Sequence, residues 1–493
     1  MVSTPSSGQA TLPTATSTSS FWHREPSKLL LGHRTTPTLP TSADVVIIGS
    51  GISGAFAAHF LRQNEEGRNL DVVMLEAREA CWGATGRNGG HCQPAIYSSS
   101  ADVGKFELRN YQYLEKFVES NRIPCQWVST QGCHDYTDES MFKASLEHYK
   151  ILESEDPEVA KLVKVITKDS TNPSLEDLRI PDAVGAFVQT YAASLWPYKL
   201  VCHILEQQLN NTDQSLTGKF NLQTNTPVNS IQKSEDGSWI VHTTRGMMEA
   251  KILLLTTNGY TSHLLPRMSD LLVPVQGEMS ALIPPPTTDR SSSSVGKSPL
   301  QKTYVFAGHD PKKDIYQDDY LIQRSFSNPA LSSETEPVSS LSGGELMFGG
   351  GRHYASGAGV GVSDDSFIDL TASSYLRRRL PQVLSLSPSE PELKASHEWT
   401  GIMGFSRDGR PWVGRVSEEL GLEGGKGLWI SAGFTGHGMP NATLSAKAVV
   451  DLMLGKDAKE VDLPGAYRVS RDRIEKARLG DEVRIADTKG FFI

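Results

Sequence analysis

The apolar and polar positions of the chain first form a regular pattern at residues 44–77. The run DVVIIGSG (44–51) predicts a buried strand that ends in a glycine turn, and GAFAAHFLRQ (54–63) predicts a helix. LDVVMLEA (70–77) predicts a second buried strand. A strand, turn, helix and strand within about 35 residues form a βαβ unit, so the sequence predicts an α/β fold with a parallel sheet.

Further along the chain the pattern predicts more helices and a β-rich part. Residues 101–120 and 198–209 carry apolar side chains at helical spacing. WIVHTT, KILLLTTNGY, YLIQR, ELMFGGG and GLWISAG predict strands, and FTGHGMPNATLSAKAVVDLML predicts a loop followed by a helix. Two stretches rich in Ser, Pro, Thr and Gly, 286–298 and 327–344, predict surface insertions.

Composition and charge narrow the class of protein. A chain of 493 residues is too long for one simple core, so two domains are expected. The net charge of −9 argues against a nucleic acid or a membrane surface as partner. Five cysteines without a C-x-x-C pair predict free thiols in a reducing compartment, the cytoplasm. The first 20 residues hold 13 Ser, Thr or Pro and no Lys or Arg, which predicts a disordered tail.

The strongest chemical motif is a G-x-G-x-x-G between the first strand and the first helix. Gly49 permits the tight turn, Gly51 lets the backbone approach a pyrophosphate, and Gly54 lets the helix lie close to the strand. Glu76 ends the next strand, where a carboxylate accepts hydrogen bonds from a ribose. The alternative interpretation is a glycine turn without a nucleotide.

This motif fits NAD and FAD equally, and the segment EACWGATGRNGGH (79–91) distinguishes them. It leaves the carboxyl end of the second strand, where open α/β sheets bind their ligands. Its small residues let the backbone lie against a flat ring, with Arg87, Asn88 and His91 able to form hydrogen bonds around it. This geometry favours a flavin over a nicotinamide.

Together with GFTGHGM (433–439), these motifs resemble the FAD-dependent D-amino-acid-oxidase superfamily, which includes glycine, sarcosine and γ-glutamylputrescine oxidases. The GRNGG form is most similar to the last of these, and the lead-in FWHREPSKLLLGHRTTPTLPTSADVVIIG is similar to fungal FAD-dependent oxidoreductases. The resemblance covers residues 20–460. It implies a Rossmann-type, three-layer FAD-binding domain and a second domain with a large antiparallel sheet and helices.

The domain boundaries follow from this resemblance. The FAD-binding domain is expected from residues 44–100, 190–260 and 395–460, and the substrate domain from 101–189 and 261–394. Residues 1–43 are expected as a tail and lead-in, and 461–493 as a C-terminal extension. A monomer or a small homo-oligomer is expected.

The resemblance also implies which residues contact FAD. The ADP half is expected against the glycine turn and the end of the second strand, at Gly49, Ser50, Gly51, Ile52, Ser53, Gly54, Glu76, Ala77 and Arg78. The flavin and ribityl parts are expected against Gly83, Ala84, Thr85, Arg87, Asn88, Gly89, Gly90 and His91. Val228 is expected at the adenine, TTNG (256–259) at the pyrophosphate, and Gly433, Thr435, Gly436, His437, Gly438 and Met439 at the flavin pyrimidine.

A non-covalent flavin is expected, because the position of the flavin-linking cysteine of sarcosine oxidase is Gly401 here. The lysine that activates oxygen in such enzymes is replaced near Met347. His91 is either a covalent anchor or a hydrogen-bonding histidine. No metal-binding motif is present, since His397–Gly401 breaks the H-E-x-x-H pattern.

The implied reaction is oxidation of a C–N bond by hydride transfer to flavin N5, after which water hydrolyses the imine and O2 gives H2O2. Arg352 is the first candidate to hold a substrate carboxylate and Arg324 the second, each with a structural role as the alternative. Trp399 and His91 are candidates for the pocket wall, with packing as the alternative for Trp399. A dehydrogenase with another electron acceptor and a non-catalytic FAD-binding protein remain alternative functions.

Overall fold

The computed structural model describes residues 8–211, 217–285, 300–325, 343–386, 391–422 and 425–479. The predicted insertion 286–298 lies outside the described residues, and so does 327–344 except for its last two positions. Residues 480–493 of the expected C-terminal extension also lie outside them.

The helices are α1 (Ile52–Gln63), α2 (Ala101–Ser120), α3 (Glu139–Glu155), α4 (Pro157–Ala160), α5 (Pro197–Leu209), α6 (Thr261–Leu264), α7 (Leu370–Val383), α8 (Ala442–Met453) and α9 (Arg471–Leu479). The strands are β1 (Ser42–Ile48), β2 (Val72–Leu75), β3 (His91–Cys92), β4 (Val128–Tyr136), β5 (Val163–Ile166), β6 (Gly185–Ser194), β7 (Phe220–Gln223), β8 (Val228–Lys233), β9 (Trp239–Thr243), β10 (Gly246–Leu255), β11 (Leu272–Leu282), β12 (Lys302–Asp310), β13 (Ile315–Gln323), β14 (Leu346–Gly350), β15 (Ala395–Ser406), β16 (Trp412–Arg415) and β17 (Leu428–Ala432).

The first sheet has the order β16-β17-β10-β1-β2-β7, and β17, β10, β1, β2 and β7 run parallel. Its central strand β1 is a run of apolar residues because both faces of the sheet are covered. Helices α1, α5 and α8 pack on one face. The β8–β9 pair and α9 pack on the other, where Ile474 joins the apolar cluster of Val46 and Leu75. The predicted βαβ unit and three-layer Rossmann-type domain are confirmed.

The second sheet has the order β15-β11-β14-β13-β12-β4-β6-β3, with β5 beside β6. Neighbouring strands are antiparallel except β4 and β12, which run parallel. Helix α7 lies on one face of this sheet, with Leu376 and Leu380 in a cluster that includes Phe306 and Phe348. The predicted second domain with a large antiparallel sheet and helices is therefore present.

The sheets divide the chain differently from the expected boundaries. Strand β15 lies in the segment assigned to the FAD-binding domain, yet it pairs with β11 from Leu272 to Leu282 in the second sheet. Helix α2 was assigned to the substrate domain, but its Phe117 ring packs 5.2 Å from Phe56 of α1. Helix α9, in the expected extension, is part of the first domain. Contacts between residues distant in the sequence decide which domain each of these elements joins, and local periodicity does not indicate those contacts.

Residues 8–20, expected as a disordered tail, instead follow a fixed path along the surface of the molecule. Thr18 N donates to the Asp365 carbonyl over 2.7 Å, and Ser20 Oγ donates to the Gly86 carbonyl over 2.8 Å. Phe21 and Trp22, which follow directly, are completely buried. The Ser and Thr side chains of this segment form hydrogen bonds with distant parts of the chain. The composition alone does not distinguish such an ordered segment from a disordered one.

No helix among the described residues is long and apolar enough to cross a membrane.

Candidate active site

A cavity of about 350 Å³ lies between the two sheets. The carboxyl ends of β1, β2 and β10 contribute Gly49–Ser53, Glu76–Arg78 and Thr256–Asn258 to its wall. Strands β11 to β14 of the second sheet contribute the opposite wall, including Tyr320. A cavity at the carboxyl ends of parallel strands is where α/β sheets of this kind bind their ligands.

The glycine turn at one end of the cavity is built for close backbone approach. Gly49 has φ of +110°, and a Cβ on it would lie 2.7 Å from the Thr256 carbonyl oxygen. A Cβ on Gly54 would lie 2.0 Å from the Gly49 carbonyl oxygen, so α1 cannot pack here with a larger residue. Gly51, which precedes α1, has no side chain to cap the helix, and Ile52 N donates to Thr85 Oγ1 over 3.1 Å. The positive end of the helix dipole lies at the cavity wall.

Glu76 is held in one orientation beside this turn. Its Oε2 accepts hydrogen bonds from Ser50 N at 3.1 Å and Ser50 Oγ at 2.6 Å, and its Oε1 accepts one from Arg78 N at 2.9 Å. The carboxylate lines the cavity at the carboxyl end of β2. This is the position from which an acidic residue contacts the ribose of a dinucleotide.

A buried charge cluster lies behind the cavity wall. Asp365, whose side chain is fully buried, lies 2.9 Å from Arg78 Nη1 and 3.3 Å from Arg87 Nε. Arg87 also donates to the carbonyls of Trp82 and Thr400. Burial lowers the pKa of Arg87 to about 10, so it remains charged at neutral pH. The two guanidinium groups are balanced by the carboxylates of Asp365 and Glu76, so the cluster fixes this wall without adding a net charge.

This cluster corrects the expectation for Arg87. Arg87 lines the cavity, but its guanidinium is bonded to Ser17, Thr18, Trp82, Thr400 and Asp365 rather than offered to a flavin ring. The partners come from segments distant in the sequence, so the motif GRNGG did not indicate them.

The loop at 256–259 and the segment 433–439 meet at the cavity. Asn258 Oδ1 accepts hydrogen bonds from Gly433 N at 3.0 Å and Phe434 N at 3.3 Å. Gly433, Thr435 and Gly436 have φ of +78°, +51° and +75°, so the chain turns tightly before α8. Asn441, which precedes α8, forms no side-chain cap, and Leu444 N in the first turn donates to Asn110 Oδ1 over 2.8 Å. The arrangement points a helix N-terminus toward the cavity, where it stabilises negative charge.

His437 of this segment is held by a buried carboxylate. Glu107 Oε2 lies 2.9 Å from His437 Nε2 and accepts a hydrogen bond from Ala95 N at 2.6 Å, and Asn441 Nδ2 donates to Oε1 over 2.8 Å. Burial alone would raise the pKa of Glu107, but the charge of His437 and these hydrogen bonds outweigh it and leave the pKa below its ordinary value of 4.5. Glu107 therefore fixes both His437 and the start of α8.

We expect Glu107→Gln to lower the free energy of unfolding at pH 7 by about 1–3 kcal/mol, because the amide places a donor where three N–H groups converge. The lowered folded-state pKa means that ionised Glu107 stabilises the fold above pH 4.5, and this contribution is lost as the pH falls through the folded-state pKa. Urea unfolding at pH 7 and at pH 3.5 measures the difference, which should shrink at the lower pH. Glu119→Gln, at an exposed position of α2, is the control, and an equal loss there would contradict the expectation.

The end of the cavity away from the glycine turn carries a different set of groups. His91, His134, Asp318, Tyr320 and Arg352 line it. His91 Nε2 is hydrogen-bonded to Thr303 Oγ1 at 3.0 Å, and its ring lies 6.1 Å from the Tyr320 ring in a stacked orientation. Burial lowers the pKa of His91 to about 4 and that of His134 to about 3. Both imidazoles are therefore neutral at pH 7.

Arg352 supplies a positive charge at this end. The residue follows β14 and is 5% exposed, with its guanidinium carbon 5.2 Å from the centre of the Phe405 ring. Its Nε lies 3.7 Å from Asp318 Oδ2. A buried guanidinium on a cavity wall is suited to a carboxylate.

Two of the expected pocket residues lie elsewhere. Arg324 lines a separate depression and donates to Glu345 over 2.6 Å, so it forms a buried ion pair rather than a substrate clamp. Trp399 is completely buried and donates from Nε1 to the Arg87 carbonyl over 2.7 Å, which makes it a support behind the cavity wall.

The other expected cofactor residues line the cavity, except for Gly54, Gly90, Gly259 and Gly433. Gly90 has φ of +72°, and a Cβ there would lie 2.4 Å from the Leu195 carbonyl oxygen, so it supports segment 83–91 from behind. The sequence interpretation missed His134, Asp318 and Tyr320. They come from strands of the second sheet. Asp318 and Tyr320 lie two positions apart in β13, and this alternation is the signal that could have indicated them.

The described residues contain no group of three or more His, Cys, Asp and Glu side chains arranged to hold a metal ion. No cysteine among the described residues lines the cavity. Backbone N–H groups of the glycine turn and two helix N-termini offer hydrogen-bond donors to it, Glu76 offers an acceptor, and this set fits a dinucleotide with a diphosphate. Fold and cavity thus define a two-domain α/β enzyme with a dinucleotide cofactor.

Comparison with known families assigns the chain. The family described as FAD dependent oxidoreductase (DAO) matches residues 44–452, and the chain belongs to this family. It is a FAD-dependent oxidoreductase, and FAD is its cofactor. The superfamily resemblance stated from the sequence is confirmed.

Individual relatives are distant but cover most of the chain. A probable oxidoreductase OrdL of Rhizobium meliloti (strain 1021) is 24% identical over 453 residues, 87% of each chain. The gamma-glutamylputrescine oxidoreductase of Escherichia coli (strain K12) is 21% identical over 435 residues, 85% of each chain. The solved structure of glycine oxidase from Geobacillus kaustophilus has a TM-score of 0.64 at 19% identity, covering 88% of this chain and 99% of that one. This likeness shows a shared fold.

Proposed function

We propose that this enzyme oxidises a C–N bond of an amine or amino acid to an imine, which water hydrolyses to a carbonyl compound. The observation that carries the proposal is the buried guanidinium of Arg352, which follows β14 of the second sheet on the cavity wall. The relatives support it, since the Escherichia coli protein is named for an amine and the Geobacillus structure for an amino acid.

The adenosine of FAD lies against Glu76 and Val228, and the flavin lies against cavity-lining residues of segments 83–91 and 433–439. FAD when bound supplies a hydride acceptor at N5. The chain supplies orientation: Arg352 binds a carboxylate, and the stacked rings of Tyr320 and His91 form part of the cavity wall. The substrate amine reacts in its neutral form.

We propose O2 as electron acceptor, with H2O2 as product, and non-covalent FAD in a cytoplasmic enzyme. The absence of cysteine from the described cavity wall supports non-covalent binding. Five buried, unpaired cysteines support a reducing compartment.

The test begins with the visible spectrum of the purified protein and of the supernatant after acid precipitation. A flavin spectrum that moves to the supernatant is expected. The holoenzyme is then mixed anaerobically with a panel of amines and amino acids, and bleaching of the flavin identifies the substrate class. Re-oxidation of the reduced flavin by admitted O2, with one H2O2 formed per flavin, supports the oxidase. Re-oxidation of the flavin only by an added dye supports the dehydrogenase. A panel without any bleaching contradicts the proposal.

A further inference from the structure

Residues 10–18, here called the N-terminal strap, run across the side of the cavity and form no helix or strand. Thr11, Leu12 and Pro13 line the cavity together with the glycine turn. The strap is half-buried, with its other side facing solvent. It precedes residue 44, where the family match begins, so the family assignment does not cover it.

The first end of the strap is fixed next to the site expected for adenine. Ala10 N donates to Ser262 Oγ over 2.9 Å. Ser262 belongs to α6, whose His263 Nε2 is hydrogen-bonded to the Asn229 carbonyl at 3.1 Å. Asn229 directly follows Val228. The strap therefore starts at the cavity end that holds Val228, away from Arg352.

Directly after Ala10, Thr11 N and Oγ1 lie 3.1 and 2.9 Å from Ser363 Oγ in the loop before α7. The second end of the strap is fixed to the buried charge cluster. Thr14 Oγ1 donates to Asp365 Oδ1 over 2.9 Å, and Arg87 Nη2 donates to the Thr18 carbonyl over 2.9 Å. Asp365 also pairs with Arg78, which adjoins Glu76. The strap thus spans from the Val228 side of the cavity to the Glu76 side.

We propose that the N-terminal strap is part of the FAD site and closes over the adenosine half of the cofactor, with Leu12 and Pro13 against the adenine. Their apolar side chains suit a flat heteroaromatic ring, and the glycine turn opposite holds the diphosphate. FAD leaves the site only after the strap detaches. No regular secondary structure holds the strap, and it detaches when its hydrogen bonds to Ser262, Ser363 and Asp365 break.

The first test compares two shortened proteins. Removal of residues 1–13 takes away the cavity-lining part of the strap and leaves Ser17, Thr18 and the buried Phe21 and Trp22 in place. Removal of residues 1–7 is the matched control, because it leaves the strap intact. We expect FAD to dissociate at least tenfold faster from the protein without residues 1–13, measured by the rise in FAD fluorescence after dilution, and at the wild-type rate from the control. Equal rates in both would overturn the proposal.

The second test locks the strap and covers the case in which the shortened chain does not fold. The hydroxyl oxygens of Thr11 and Ser363 are 2.9 Å apart, which brings a Thr11→Cys/Ser363→Cys pair within disulfide distance. We expect the oxidised holoprotein to release FAD at least tenfold more slowly than the same protein after reduction. Each single cysteine variant is a control for the five buried native thiols. An unchanged rate, or no disulfide under oxidation, overturns the proposal.

Both tests measure FAD release and need no substrate. A failure of the proposed amine oxidation therefore leaves the result for the strap intact, and the reverse also holds.

Discussion

Arg352→Met is expected to lower kcat/KM for a carboxylate-bearing amine by about 100-fold or more, about 3 kcal/mol. The loss should appear mainly in KM, because Arg352 binds a part of the substrate that does not react. Arg352→Lys retains the charge but loses the paired N–H groups, so an intermediate loss is expected. Steady-state kinetics with the amino acid identified by flavin bleaching provide the measurement.

Arg324→Met is the matched control for this variant, because Arg324 is an equally buried arginine whose partner is Glu345 rather than the cavity. We expect it to reduce the stability of the fold and to leave KM unchanged in the protein that remains folded. A wild-type KM in Arg352→Met would contradict the assignment of Arg352 and would favour an uncharged amine as substrate.

Gly83→Val is expected to weaken FAD binding by about 10- to 100-fold, about 1–3 kcal/mol, and to leave the apoprotein fold intact. Gly83 lines the cavity with ordinary backbone angles, and a Cβ on it meets no protein atom within 4 Å. The space that valine would take is therefore the space proposed for the cofactor. Titration of apoprotein with FAD, followed by flavin fluorescence, measures the affinity.

Gly465→Val is the control for Gly83→Val. Gly465 is exposed and a Cβ on it also meets no protein atom within 4 Å, but it is not part of the cavity wall. We expect wild-type FAD affinity and melting temperature for this control. Undiminished FAD affinity in Gly83→Val would show that the cofactor does not lie against the GATGRNGGH segment.

Local pattern was enough to predict the dinucleotide end of the site. The βαβ unit is encoded within residues 44–77, because strand and helix periodicity and the glycine turn act between neighbours in the sequence. Gly49 and Glu76 belong to the same unit, so their positions on the cavity wall follow from spacing alone, and their contacts with FAD stay a prediction. For the same reason the FAD-dependent family was predictable before the fold was known.

The substrate end could not be predicted in the same way. Arg352 and Arg324 both come at the ends of predicted strands, so the sequence does not distinguish them. In the fold, Arg324 forms a buried ion pair with Glu345, whereas Arg352 lies on the cavity wall near Asp318. The sequence predicts Trp399 as a pocket residue, but its indole N–H donates a hydrogen bond to the carbonyl of Arg87, 312 residues away in the sequence.

The sequence by itself determined the class of fold, the cofactor turn and the acidic residue that follows it, because each depends on residues close together in the chain. Tertiary structure alone decided that β15 joins the second sheet, that Arg87 is tied to Asp365 and that residues 11–13 line the cavity. The Arg78–Asp365 pair joins residues 287 positions apart. A buried charged side chain requires a partner of opposite charge, and this partner can come from any part of the chain. The hydrophobic periodicity of the sequence does not indicate which distant residue it is.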